Sequence, residues 1–184
     1  MRLWRVLPLS PEATGGEAGG PLWFPRQQQG GGRHDNPDLY GCLYLAEEPV
    51  SAVAEMLAPF RGSGRLLPSM LVRYGNPLAL AALRLKDGLP AIDLDWPATL
   101  FETGLHPSRV ATRRRSITQR QAAELHESEP AAVAIRWWST LESTWINWTL
   151  FDRAAPSLAV ERVRELHVED PVVLEAAGLL GLFP

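Results

Sequence analysis

The chain has 184 residues, 46% hydrophobic and 21% charged, the balance of an ordinary globular protein long enough to build a core without disulfides or metal. Its formal net charge of −3 and pI near 5.8 argue against a general nucleic-acid binder, which carries a basic surface. The single Cys42 has no partner for an internal disulfide, and no apolar run approaches the roughly 20 residues of a membrane helix. Arg5 interrupts the apolar start, so Met1 to Arg5 does not read as a signal peptide. These features predict one cytoplasmic domain over residues 1–184.

In chain order, Leu3 to Leu9 alternates like a strand, and Ser10 to Gly20 is a loop rich in Gly, Pro and Glu. Gln27 to Gly32 forms a flexible turn leading into Arg33, and Asn36-Pro37-Asp38 is a second turn signal. Cys42 to Ala46 reads as a short buried strand. Pro49 suits the first turn of a helix, where its missing N–H has no partner in any case. Val50, Val53, Ala54 and Leu57 recur at helical spacing, and Ser51 and Glu55 share another face of that helix.

Leu66 to Tyr74 and Leu78 to Leu85 are predicted strands joined by Gly75-Asn76-Pro77. Asp93 to Glu102 is irregular or briefly helical. Ser116-Ile117-Thr118-Gln119 has the spacing of a capping box and predicts a helix through about His126. Ala132 to Trp138 and Trp145 to Phe151 are rich in β-branched and aromatic residues and predict strands, as does Leu158 to Val168. Asp170-Pro171 starts a last helix ending at Gly178. Strands and helices mix without regular βαβ alternation, which predicts an α+β fold.

Three polar residues in apolar settings stand out. Arg33 ends the run Gly30-Gly31-Gly32, whose glycines permit close approach of backbone to a ligand. Glu55 is the only charge between Pro49 and Leu57, and Ser139 ends the run Ala132 to Trp138. An arginine, a carboxylate and a serine of this kind can together bind an anion and stabilise a cation, which suits chemistry on a phosphorylated nucleotide. The pattern alone also allows plainer roles. Glu55 could face solvent or pair with Arg61 or Arg65, Arg33 could be a solvated loop residue, and Ser139 a turn residue.

Other chemistry finds less support. His34, His106, His126 and His167 are scattered without metal-ligand spacing, so no metal is expected. Cys42 lies in an apolar strand, where a thiol tends to be inert. The glycine run is not a nucleotide fingerprint, because it does not open a helix after a strand. Arg113-Arg114-Arg115 is one short basic run on an acidic chain, as expected of a solvated loop or partner contact.

The segments Gly32-Arg33-His34-Asp35-Asn36-Pro37, Leu43-Tyr44-Leu45-Ala46 with Ala54-Glu55, and Trp138-Ser139 leading to Asn147-Trp148-Thr149-Leu150-Phe151-Asp152 together resemble the RES domain family. The opening Leu3-Trp4-Arg5-Val6 is similar to that family's first strand. The resemblance covers nearly the whole chain in the right order. It implies an ADP-ribosyltransferase-like fold with mixed or antiparallel sheets and flanking helices. It implies NAD as substrate rather than as a resident cofactor, and often a partner antitoxin of the Xre type.

On that resemblance Arg33, Glu55 and Ser139 are the name-giving triad, and Tyr44 is the tyrosine of the Leu-Tyr-Leu-Ala strand. Glu55 is the candidate to stabilise an oxocarbenium-like ribose, Arg33 to clamp the pyrophosphate, and Arg5 to add a second phosphate contact. Tyr44 is the candidate to stack on nicotinamide, and Ser139 to hydrogen-bond Glu55 or the substrate. His34 stands where members often carry an aromatic residue. The expected activity is cleavage of the nicotinamide–ribose bond by phosphate or water, in the toxin of a toxin–antitoxin pair. The alternatives are ADP-ribosyl transfer to a protein, and a module that binds a nucleotide or partner without turnover.

Overall fold

The computed structural model describes all 184 residues. The chain divides into two compact units, neither of them a continuous segment. One comprises residues 1–23, 45–85 and 159–184, the other 24–44 and 86–158.

The first unit is built on β1 (Arg2–Pro8) and β4 (Asn76–Leu85), which pair antiparallel from Arg2↔Arg84 to Pro8↔Leu78. Leu78 to Leu83 of β4 are all buried, which is why this strand reads as a continuous apolar run rather than an alternation. The two-residue β3 (Val72–Arg73) and β8 (Leu158–Glu165) also pair with β4. α1 (Pro49–Leu57) buries Ser51, Val53, Ala54 and Leu57 and packs against β1 and α5 (Pro171–Leu179).

The second unit carries β5 (Ala91–Asp93), β6 (Ala134–Trp138) and β7 (Ile146–Phe151). β5 runs parallel to β6, and β6 antiparallel to β7, so the pairing is mixed. The first residues of β2 (Cys42–Ala46) belong here beside β7, while its last residue, Ala46, pairs with Trp4 in the first unit. Three helices complete this unit: α2 (Pro97–Glu102), α3 (Pro107–Val110) and α4 (Arg115–Ser128). Its core joins Tyr40, Cys42, Ile135, Trp137 and Phe151 to Ala122 and Leu125 of α4.

Eight strands with mixed pairing and flanking helices make an α+β fold, as the sequence predicts. Some local expectations need correction. Within the segment Leu66 to Tyr74 only Val72–Arg73 is strand, and Pro68–Leu71 is a 3₁₀ turn, since Pro68 has no N–H for a ladder and suits a first turn. The helix expected from Ser116 begins at Arg115 with Arg114 at the N-cap, and no side chain caps it. No helix is long and apolar enough to cross a membrane.

Candidate functional site

The segment Gln29 to Asn36 in the second unit is wound around one carboxylate. Asp35 is buried, and its Oδ2 accepts the backbone N–H of Gly30 at 2.8 Å and of Gly32 at 2.6 Å. Its Oδ1 accepts the Tyr44 hydroxyl at 2.7 Å and the Cys42 thiol at 3.4 Å. The glycines therefore serve this turn before they serve any ligand. A Cβ on Gly32 would lie 2.5 Å from both Asp35 Oδ1 and the Tyr44 hydroxyl oxygen, whereas Gly31 faces open space.

Helix α4 holds the same loop from another side. Gln119 Nε2 donates to the carbonyls of Gly30 at 3.0 Å and Gly32 at 2.9 Å. Thr118 Oγ1 donates to the Arg33 carbonyl at 2.6 Å, and Asn36 Nδ2 donates to the Gln119 carbonyl at 2.9 Å. From the β2 side, the Gln29 amide bonds both backbone groups of Cys42: Nε2 donates to its carbonyl at 2.5 Å, and Oε1 accepts its N–H at 3.0 Å.

Arg33 is buried on this framework. Its Nη1 donates to the carbonyls of Val110 and Thr112, each at 2.8 Å, and its guanidinium carbon lies 4.8 Å from the centre of the Trp137 ring. Two anchors on one nitrogen and a ring beneath it fix the plane of the group. His34 follows it, also buried. The ring meets Trp137 edge-on at 5.3 Å, and Nδ1 lies 2.8 Å from Thr149 Oγ1, which also accepts the Trp137 indole N–H at 3.1 Å. Burial, with the positive charges of Arg33 and Arg115, lowers the His34 pKa from 6.5 to about 3, so the imidazole is neutral.

The Tyr44 hydroxyl accepts the His34 N–H at 2.8 Å while donating to Asp35. Burial, then the charges of Cys42 and Asp35, holds its pKa well above the ordinary tyrosine value, so it remains a phenol. Burial likewise raises the Cys42 thiol, and Asp35 adds to the shift, in keeping with the inert thiol expected from sequence.

The structure thus ties Tyr44 of β2 by hydrogen bonds to the loop that carries Arg33. Ser139, also buried, shapes the turn between β6 and β7: its Oγ accepts the Leu141 N–H at 3.0 Å, and its own N–H donates to the Trp145 carbonyl at 2.7 Å. Glu55 is exposed on α1 of the first unit. Arg5 lies half-buried on β1 of that unit, with Nη1 donating to the Pro21 carbonyl at 2.6 Å.

Sequence reasoning missed Asp35, Gln29, Thr118, Gln119 and Thr149. The one available signal was an aspartate three residues after Gly32, a spacing at which a carboxylate can fold back onto the preceding N–H groups.

A model of the RES domain matches residues 2–171, a span that includes Arg33, Tyr44, Glu55 and Ser139. The chain belongs to the RES domain family. No curated protein matches the sequence. Among solved structures, this RES domain is similar to a chain in the crystal structure of the M. tuberculosis MbcT-MbcA toxin-antitoxin complex, with a TM-score of 0.65 and 17% identity. The match covers 90% of this chain and 83% of that one. At that identity the likeness is one of fold. The RES model spans both compact units, so its motifs are contributed by each of them.

Proposed function

We propose that this RES domain cleaves the nicotinamide–ribose bond of NAD and acts as the toxin of a toxin–antitoxin pair. Family membership over residues 2–171 carries the reading, and the fold of a chain crystallised in a toxin-antitoxin complex supports the partner. In this reading the glycosidic C–N bond breaks with its electron pair going to nicotinamide, which leaves neutral and needs no strong acid. Positive charge develops on the ribose, and Glu55 is the carboxylate that stabilises it. Arg33, with its plane fixed by Trp137 and two carbonyls, binds the pyrophosphate, and Arg5 supplies a second contact.

Tyr44 and Ser139 orient the substrate. Tyr44 holds its ring by a hydroxyl bonded on both sides, which leaves the aromatic face as its contribution. Water or inorganic phosphate then adds to the anomeric carbon and loses a proton to solvent or to Glu55. The partner in this reading is a protein antitoxin of the Xre type.

The experiment is incubation of purified protein with NAD, with and without inorganic phosphate, following nicotinamide release. Release in both conditions indicates hydrolysis, and release that depends on phosphate indicates phosphorolysis. Label from NAD appearing on lysate protein instead would assign ADP-ribosyl transfer. Binding of NAD by calorimetry with no product from folded, antitoxin-free protein would leave a binding module.

A further inference from the structure

A pocket of about 640 Å³ opens in the second unit between β5, α2 and α4, and no role proposed above uses it. Asp93, Glu102, Glu124 and Glu129 line it, and no lysine, arginine or histidine does. Asp93 is paired with Arg136 at 3.0 Å. The other three carboxylates form no ion pair, so the pocket presents uncompensated negative charge. Trp96, 63% exposed, adds an aromatic face of the kind that attracts cations.

Gln121 gives a second, independent sign. Its residue is only 9% exposed, it lines the same pocket, and its Nε2 has no hydrogen-bond partner. A buried amide left in this way is costly, and an incoming carbonyl oxygen would satisfy it. β5 supplies the third. It is the terminal strand of its order, pairs only with β6, and contributes Ala91, Ile92 and Asp93 to the pocket wall. The Asp93 carbonyl is taken by the Trp96 N–H at 3.3 Å, and the edge before it, at Ala91, is short enough to accept an added extended segment.

We propose that the β5 edge and this pocket form a docking site for an extended segment of a partner protein that carries an arginine or lysine. The basic side chain enters among Glu102, Glu124 and Glu129 against Trp96, and a neighbouring backbone carbonyl accepts the Gln121 amide. A free polyamine would meet the charge but offers Gln121 no acceptor, so the combination of features favours a peptide. This site is independent of the proposed NAD chemistry.

The test uses the full chain and a fluorescein-labelled, end-capped heptapeptide, Thr-Val-Thr-Arg-Thr-Val-Thr, followed by fluorescence polarisation. Binding is expected in the range of about 1 mM or tighter, weakening several-fold as salt screens the carboxylates. The same peptide with glutamate at the centre is expected not to bind. Glu102→Lys with Glu124→Lys changes two exposed residues and should weaken binding at least about tenfold with an unchanged circular dichroism spectrum, and Gln121→Met should weaken it several-fold. No binding, equal binding by the doubly reversed variant, or spermidine binding as tightly as the peptide would each overturn the proposal.

Discussion

The phenol of Tyr44 donates to Asp35 Oδ1 at 2.7 Å and accepts the His34 N–H at 2.8 Å, so one hydroxyl closes the turn that carries Arg33. Removing it leaves two buried polar groups short of a partner. Tyr44→Phe is expected to lose about 1–3 kcal/mol of stability, read from urea unfolding. Because the aromatic face remains, NAD turnover should fall through misplacement of Arg33 rather than vanish. Unchanged stability and unchanged turnover together would show that the hydroxyl is not a closing element.

Two neighbouring glycines should behave differently. Gly32→Ala drives a methyl to within 2.5 Å of Asp35 Oδ1 and is expected to cost about 1–3 kcal/mol, as overpacking does. Gly31→Ala meets nothing within 4 Å and should shift stability by no more than about 0.5 kcal/mol. Thermal unfolding of the pair decides the matter, and equal effects would contradict the geometry.

His34 predicts a pH dependence of stability. Its pKa falls from 6.5 to about 3 on folding, so between those values the unfolded chain binds a proton that the folded chain refuses. Stability contributed here is full above pH 6.5, declines as pH falls and levels off below about 3, with a slope of up to about 1.4 kcal/mol per pH unit. His34→Phe should flatten that part of the profile. Parallel profiles for the two proteins between pH 4 and 6 (measured by urea unfolding) would rule out this assignment.

Glu55→Gln tests the carboxylate assigned to the ribose. The residue is exposed on α1, so the change is expected to leave stability within about 0.5 kcal/mol. Nicotinamide release should fall by about two orders of magnitude or more, the scale on which a single electrostatic contact in an active site acts. Wild-type release from the variant would move the catalytic carboxylate elsewhere.

The parts of the fold legible in the sequence are those with local causes. β1 shows its alternation, β4 its apolar run, and α1 its proline start and helical spacing. β5 was not legible because three residues become a strand only by lying parallel to β6. The site divides in the same way. Arg33, Glu55 and Ser139 stood out by contrast with apolar neighbours, and Tyr44 by the family resemblance of its strand. Asp35 did not, because four donors from Gly30, Gly32, Cys42 and Tyr44 give it its role. Gln119 and Thr149 reach this loop from 87 and 115 residues away, distances at which no pattern reading operates.

The Gln29 amide, bonded to both backbone groups of Cys42, has a consequence for how this chain can vary in length. Glycine-rich loops usually tolerate insertions and deletions, since nothing fixes their spacing. Here Gln29 is tied to β2, Gly30 and Gly32 to Asp35, and their carbonyls to Gln119. One residue added between 29 and 35 would move a tether out of reach. This glycine-rich segment is therefore strict in residue count, and related chains should change its letters before they change its length.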